Sequence, residues 1–365
     1  MRICFLAEAN SAHIEKWCRY FLSEGHEVHV ISFTQGEIPG ARIHWIDLGL
    51  DGSEGDMAKL KYLGQSRKVR KLVNEISPDI VNVHYATSYG AVAALSGLKD
   101  YVLSVWGSDI YDFPGKSPAH LALLKYSLNH AGIIFSTSRA MARETRLYTK
   151  KEIRITPFGV DTSFFTPKRR KRLPEFVDGR FMIGTVKKLE PKYGIDVLLR
   201  AAAIFRRKRP DVNLRLMIAG TGTHEEEYKK LAEELGLSER VTWTGFLSQD
   251  EAADLWASLD VAVVPSVLDS ESFGVSAVEA EASGVPVITS DVPGLMEATR
   301  PGYTALTVKR QDPEALAEAL IQMYDDPVLR GRLGQNGRKY VQKRYEYKDC
   351  FQRIEAYLKE WADRH

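Results

Sequence analysis

Glu271 and Glu279 stand eight residues apart within residues 265–287, PSVLDSESFGVSAVEAEASGVPV, and this pair is the clearest chemistry the chain offers. The apolar run before Pro265 reads as a buried strand, so the polar segment that follows is a loop carrying Glu271. Ser272 and Gly274 are small enough to let backbone amides face outward before a helix begins at Val275, with Glu279 in its first turns. Such a helix start holds phosphate or a hydroxyl-rich ligand through unpaired amides and the helix dipole, worth about 0.3–1 kcal/mol and up to ~2 when partly buried. Both glutamates can then face one ligand. The bare spacing is not specific, because two solvated carboxylates at a helix edge would show it too.

Two other chemistries fit less well. Hydrolysis of a glycosidic bond needs two carboxyl groups about 5–9.5 Å apart. Eight helical residues span roughly 12 Å. A dinucleotide site needs Gly-x-Gly-x-x-Gly after a first strand. Ala9-Asn10-Ser11-Ala12 stands there, and Gly220-Thr-Gly222-Thr-His-Glu lacks the third glycine.

The elements that position these residues alternate along the whole chain, short β-branched runs with amphipathic helical stretches, which is parallel α/β architecture. Strands are expected at 2–7, 27–33, 42–47, 79–84, 101–105 and 132–137, with helices at 12–23, 56–76 and 120–130 among them. After 153–157 the pattern breaks into Phe158-Gly-Val-Asp161, Thr166-Pro167, a five-residue basic run and Pro174. It restarts with strand 181–186, helix 195–208, strand 214–219, helix 225–235 and strands 241–243 and 261–265. Helix 275–282, strand 286–289 and three helical stretches between 313 and 361 complete it. Two doubly wound, Rossmann-like domains facing across a cleft follow: 1–167, 168–345, and a C-terminal helix at 346–365 crossing back to the first. In such sheets ligands bind beyond the carboxyl ends of the strands.

Composition agrees. The 365 residues suffice for two cores, and 44% hydrophobic with 27% charged residues excludes disordered or fibrous chains. No apolar run reaches the roughly 18 residues of a membrane span, and the stretch 3–7 is too short for a signal peptide. Three cysteines without metal or redox spacing argue against a disulfide framework. The expected place is the cytoplasm. Up to Arg172 the chain has 24 Lys and Arg against 17 Asp and Glu; the remainder has 26 against 31. The basic half, ending in Lys168-Arg-Arg-Lys-Arg172, suggests peripheral contact with an anionic membrane, against the plainer reading of a solvated linker.

The context of the glutamate pair is more specific than its spacing. Pro265-Ser266, Phe273-Gly274, Ala280, Gly284-Val-Pro-Val287, Gly294 and Glu297 resemble the acidic donor-binding motif of the retaining, two-domain glycosyltransferases of family 4, also called group 1, with the GT-B fold. The resemblance extends to Ser11–Trp17, Gly25-His-Glu-Val28, Pro78–His84, Val105–Asp109, Pro157–Asp161, Gly220-Thr-Gly222, Leu235-Gly-Leu237 and Gly245-Phe246. It implies an enzyme that moves a sugar from a nucleoside diphosphate, UDP first among the candidates, to a glycan or lipid-linked acceptor in surface polysaccharide or glycolipid synthesis. No nucleic acid, no cofactor and no metal are expected. Glu271 would contact donor-sugar hydroxyls and Glu279 the ribose, with Ser272, Phe273, Gly274 and Val275 near the sugar and diphosphate and Gly220, Gly222 and Phe246 near the nucleotide. Carboxylates make charge-assisted hydrogen bonds to such hydroxyls.

Cations for the departing diphosphate would come from Lys187–Asp196, with Lys188 and Lys192 as the candidates and Lys187 a third. Lysine neutralises phosphate but lacks the bidentate fork of arginine. Where many relatives place a histidine, this chain has Trp106, which can stack on a sugar but cannot shuttle protons. His13, His84 and Asp109 are the polar groups on neighbouring strand ends that would compensate. Those departures keep one alternative open, a non-catalytic nucleotide-sugar-binding partner of another transferase.

Overall fold

The computed structural model describes residues 1–49, 61–170 and 179–364, which form two compact units. The first comprises Met1–Pro157 with Cys350–His365, the second Phe158–Asp349. Each is built on one wholly parallel sheet.

In the first unit the strands are β1 (Arg2–Leu6), β2 (Glu27–Ser32), β3 (Arg42–Trp45), β4 (Ile80–His84), β5 (Val102–Val105), β6 (Ile133–Ser136) and β7 (Ile153–Ile155). Their spatial order is β3-β2-β1-β4-β5-β6-β7. The register sets Cys4 beside His29 on one side and Val81 on the other. Strands β1, β5 and β6 are almost wholly buried, as expected where helices cover both faces of a parallel sheet. The last helix, Tyr347–Ala362, belongs mostly to this unit. Phe351 packs edge-on against Trp17, and Glu355 accepts hydrogen bonds from Tyr20 and His26, both at 2.9 Å. Arg154 pairs with Glu360, and the Trp361 indole donates to the Asp100 carbonyl at 2.6 Å.

The second unit holds β8 (Arg180–Val186), β9 (Asn213–Ala219), β10 (Val241–Gly245), β11 (Val261–Val264), β12 (Val287–Ser290) and β13 (Ala305–Val308), ordered β10-β9-β8-β11-β12-β13. Its core gathers Phe181, Ile183, Leu198, Phe205, Leu216, Val263 and Leu320.

Several elements depart from the pattern read in the sequence. The helix expected at 56–76 covers Ser66–Ile76, with a turn at 64–65 before it, and residues 56–60 lie outside the described chain. Helix Tyr89–Ser96 carries no amphipathic stripe because nearly every residue in it is buried. Helix Gln249–Ser258, likewise unread, is announced by a capping box, with Ser248 and Glu251 reciprocally bonded. Edge strand β13 has four residues, three of them half-buried, too few to show a period. Among the described residues no helix is long and apolar enough to cross a membrane.

Candidate functional site

In both sheets the strand order reverses direction beside the first strand, between β1 and β4 and again between β8 and β11. Loops leaving the two strands at such a reversal go to opposite faces, which opens a crevice at their carboxyl ends. The candidate residues gather at these two places.

At the reversal in the second unit, Lys187 follows β8 and Glu271 lies in the loop after β11. The Lys187 ammonium is 2.8 Å from Glu271 Oε2, and the two side chains are only 8% and 10% exposed. Ser266 Oγ donates to the same oxygen at 3.4 Å. Lys187 and Lys192 both bring their ammonium groups within 5 Å of the Tyr193 ring centre, at 4.9 and 4.8 Å. Lys188 is exposed beside them. A buried ion pair is costly to assemble unless its geometry is good and further hydrogen bonds support it. Here the pair fixes which way the Glu271 carboxylate points.

Neighbouring loops are locked to this one. Gly220, at φ +131°, lies so close to the Lys187 carbonyl that a Cβ would sit 1.9 Å from that oxygen. Gly222 is similarly pressed on Leu189. Glu190 accepts from the Thr223 amide and hydroxyl, both at 2.8 Å, and these bonds hold its carboxyl below the usual range. Both glycines thus serve first as a close crossing of two loops. Phe246, after β10, is 79% exposed.

Gly274 precedes helix Val275–Ala282 in the left-handed region, φ +80°, which only glycine adopts without cost. The first bonds of the helix run from the Ala277 and Val278 amides to the Gly274 carbonyl, so the amides before Ala277 have no acceptor within it. Ser272 and Phe273 are buried, and the Phe273 ring packs edge-on against Phe158 and Tyr345. Phe273 can therefore meet a ligand only through its backbone. Glu279 is half-buried and accepts from the Trp256 indole at 3.4 Å. Arg310, after β13, binds Asp269 at 2.6 Å and Asp291 at 3.1 Å and so braces the loop that carries Glu271. Neither Trp256 nor Arg310 was legible as a site residue, since both reach it from distant parts of the sequence.

At the reversal in the first unit, the groups are mostly aromatic and the imidazoles neutral. His84 ends β4, is 2% exposed, and has edge contacts with Phe5, Trp17 and Trp106. Burial pushes its imidazole down to about 3. His13 is half-buried, meets Trp106 edge-on at 5.4 Å, and is pushed to about 4 by burial and by Lys16. Asp109 is fully buried. Its two oxygens accept from the amides of Ala86 (2.9 Å), Trp106 (3.1 Å) and Gly107 (2.8 Å). Burial raises its carboxyl, and those amides oppose the rise. Asp109 thus clamps the loops after β4 and β5 together. Trp106, with His84, lines a cavity of about 320 Å³.

Among the described residues no group of three or more His, Cys, Asp or Glu is placed to hold a metal ion. Of the basic run, Arg169 is spent on Asp250 (2.7 Å) and Asp254 (3.0 Å), and Arg170 lies 3.5 Å from Asp260. Lys171 and Arg172 lie outside the described residues.

Comparison with known proteins matches residues 167–340 to the model described as glycosyl transferases group 1 and residues 2–138 to that of glycosyl transferase 4-like proteins. A D-inositol 3-phosphate glycosyltransferase of Arthrobacter sp. is 35% identical over 195 residues, covering 52% of this chain and 46% of that protein. A GDP-mannose-dependent monoacylated alpha-(1-6)-phosphatidylinositol monomannoside mannosyltransferase of Corynebacterium glutamicum is 32% identical over 54% of each chain. The chain thus spans about half the length of the curated relatives it matches. Sucrose-phosphate synthase of Thermosynechococcus elongatus superposes over the whole of both chains with a TM-score of 0.84 at 20% identity. Anabaena HepE, solved with UDP and glucose, gives 0.79 at 19% identity over 98% of this chain and 99% of that one.

Proposed function

The chain belongs to the glycosyl transferases group 1 and has their GT-B fold, and from there we propose that it moves one sugar from a nucleoside diphosphate to an acceptor hydroxyl with retention at the anomeric carbon. The observation that carries this reading is the buried Lys187–Glu271 pair at the strand reversal of the second unit. It is a carboxylate already oriented for hydroxyl donors, beside cations suited to phosphate.

In this reading Glu271 holds hydroxyls of the donor sugar and Glu279 the ribose. The backbone around Ser272, Phe273, Gly274 and Val275 faces the sugar and diphosphate. Lys188 and Lys192 take up negative charge as the bond between the anomeric carbon and the phosphate oxygen breaks. The chain presents no evident enzymatic nucleophile, so the acceptor oxygen attacks from the side the diphosphate leaves, and the departing phosphate oxygen takes the acceptor's proton. The first unit supplies the acceptor site, with Trp106 and His84 in its lining and Asp109 as a positioning residue. The lysines make a divalent cation unnecessary, so a chelator should leave the rate intact.

The names of the relatives suggest a guanosine-based donor beside the uridine-based one that the family resemblance implies, and acceptors that carry inositol phosphate or phosphatidylinositol. A lipid-carried acceptor would agree with peripheral binding to an anionic membrane. The test of the whole reading is calorimetry on the full chain with uridine, guanosine and adenosine diphosphate sugars, followed by an assay for released nucleoside diphosphate. Binding of none of them overturns it. Binding without release, with every acceptor tried, would favour a non-catalytic partner.

A further inference from the structure

Away from both strand reversals, at the outer edge of the first sheet, three titratable groups form a line that the transferase reading does not use. Glu27 opens β2 and His29 follows two places on, so their side chains stand on one face of the sheet. On edge strand β3, Arg42 and His44 have the same spacing, and the register sets His29 beside Arg42 and Ile31 beside His44. The core on that face holds Cys4, Ile31, Val73 and Ile76.

Glu27 Oε1 lies 3.1 Å from His29 Nε2 and 2.9 Å from the Arg42 guanidinium, and Oε2 accepts from Arg2 Nε at 2.8 Å. His29 Nδ1 faces His44 Nε2 at 2.9 Å. The two imidazole planes are within 8° of each other and their centres are 5.2 Å apart. That separation is the N···N contact with a ring radius added at each end. The rings therefore lie end to end in one plane, with their facing nitrogens sharing a proton.

Proton positions follow from the carboxylate. Hydrogen bonds from Arg2 and His29, with Arg42 adding its charge, hold the Glu27 carboxyl to about 2, so it is ionised and can only accept. His29 then carries its proton on Nε2. A neutral His29 has a bare Nδ1, and the proton in the 2.9 Å contact belongs to His44 Nε2. One proton added to the pair leaves this bond intact, because one facing nitrogen still bears a hydrogen and the other a lone pair. A second added proton sets two imidazolium N–H groups against each other.

The charges around the pair come from four elements: Arg2 on β1, Glu27 on β2, Arg42 on β3, and Glu75 on helix Ser66–Ile76, where Lys71 pairs with it at 3.6 Å. Strand β3 has little else to hold it, being four residues long with none buried and a ladder on one side only. We propose that Glu27, His29 and His44 form a proton-operated latch on β3. It is closed while the histidine pair holds at most one added proton and open when it holds two, and opening frees β3 from β2 with the inner strands in place. Burial first, then His29 and Arg42, hold the His44 imidazole below its usual value, and Glu75 opposes them. The closed strand thus binds fewer protons than the released one, whose histidines titrate near 6.5, so acid favours release. None of this depends on the transferase reading.

Two measurements on the full chain test the latch. With 15N-labelled histidine, scalar coupling between His29 Nδ1 and His44 Nε2 across their shared proton is expected at about pH 7.5, with His44 protonated on Nε2, and should vanish by about pH 5. Hydrogen-exchange protection of residues 42–46, corrected for intrinsic rates, should fall about tenfold or more over that range, in which Glu27 stays ionised. Strand β1 serves as the reference for opening of the whole unit. In His44→Gln the fall at β3 should shrink below about threefold while β1 behaves as in the parent chain. Absence of the coupling at about pH 7.5, a bare Nε2 on His44, protection of β3 that ignores pH, or an equal fall in His44→Gln overturns the proposal.

Discussion

The two strand reversals share a backbone plan and differ in almost everything placed upon it. In the second unit the crevice is ionic, with Lys187 set against Glu271, Arg310 braced by two aspartates, and loops crossed so closely that glycine is required. In the first unit the crevice is aromatic, its histidine neutral and buried, and its Asp109 carboxyl group is taken up by three backbone amides. A parallel sheet provides a place for a ligand, and the loops decide its charge. That is why the fold alone could not tell the two crevices apart, while their linings do.

The sharpest way to break this contrast is Glu271→Ala. If the ionic crevice holds the reacting sugar, turnover should fall by about 10²–10³, or roughly 2.7–4 kcal/mol, the scale of a lost transition-state contact. A small effect in initial-rate assays would remove the chemistry from that crevice.

The second effect concerns pH. Burial pushes the Glu281 carboxyl, in the helix after Gly274, up to about 8, with Thr304 pulling weakly the other way. The folded form therefore keeps a proton that the unfolded chain gives up near 4.5. Its stabilising protonation is complete below that value and lost as pH rises toward 8. His84 and His13 run oppositely: held to about 3 and 4, they stay neutral in the folded state. The first unit should then lose stability as pH falls below about 6.5. Glu281→Gln is expected to stabilise the second unit increasingly as pH rises from 4.5 to 8, by about 5 kcal/mol at most at about 1.4 kcal/mol per pKa unit, and hardly at all at pH 4.5. Hydrogen exchange resolved by segment checks both signs, and identical pH profiles in the two units would contradict them.

Third, Glu279→Ala should weaken donor binding about tenfold, near 1.5 kcal/mol, with little change in turnover at saturation, because ribose contacts are made equally in ground and transition states. Calorimetry with the bound nucleotide sugar decides this, and a loss confined to turnover would reassign the residue.

The smallest expected effect is at the basic run. Each basic residue near an anionic bilayer adds at most about 1 kcal/mol, and Arg169 and Arg170 are already paired within their own unit. Replacing Lys168–Arg172 by serine should weaken co-sedimentation with anionic vesicles modestly and in a salt-dependent way. Salt-insensitive binding would rule out the electrostatic route.

Legibility in the sequence followed the physics of each signal. Alternating strands and helices were readable because parallel strands are continuous apolar runs, and the segment around Glu271 and Glu279 because small residues must open a helix start. The helix Tyr89–Ser96 and strand β13 were not, since a buried helix has no polar face and a four-residue edge has no period. Lys187 entered the reading only as a third choice. Its value lies in a partner 84 residues away, and pairings of that kind leave no local trace.

The helix that begins at Tyr347 also sets an order of events during synthesis. The first unit lacks the partners of Tyr20, His26, Arg154 and Asp100 until residues 355–361 have been made. By then the whole of the second unit, Phe158–Asp349, has been synthesised. The segment translated first therefore waits for its last helix until all of the segment translated second has been made. Pulse proteolysis of nascent chains stalled on a C-terminal extension should show the first unit gaining protection only once residues 355–361 have cleared the exit tunnel, and its protection in shorter chains would contradict this. Docking of this helix, rather than synthesis of β7, is then the step that closes the aromatic nest around Trp17.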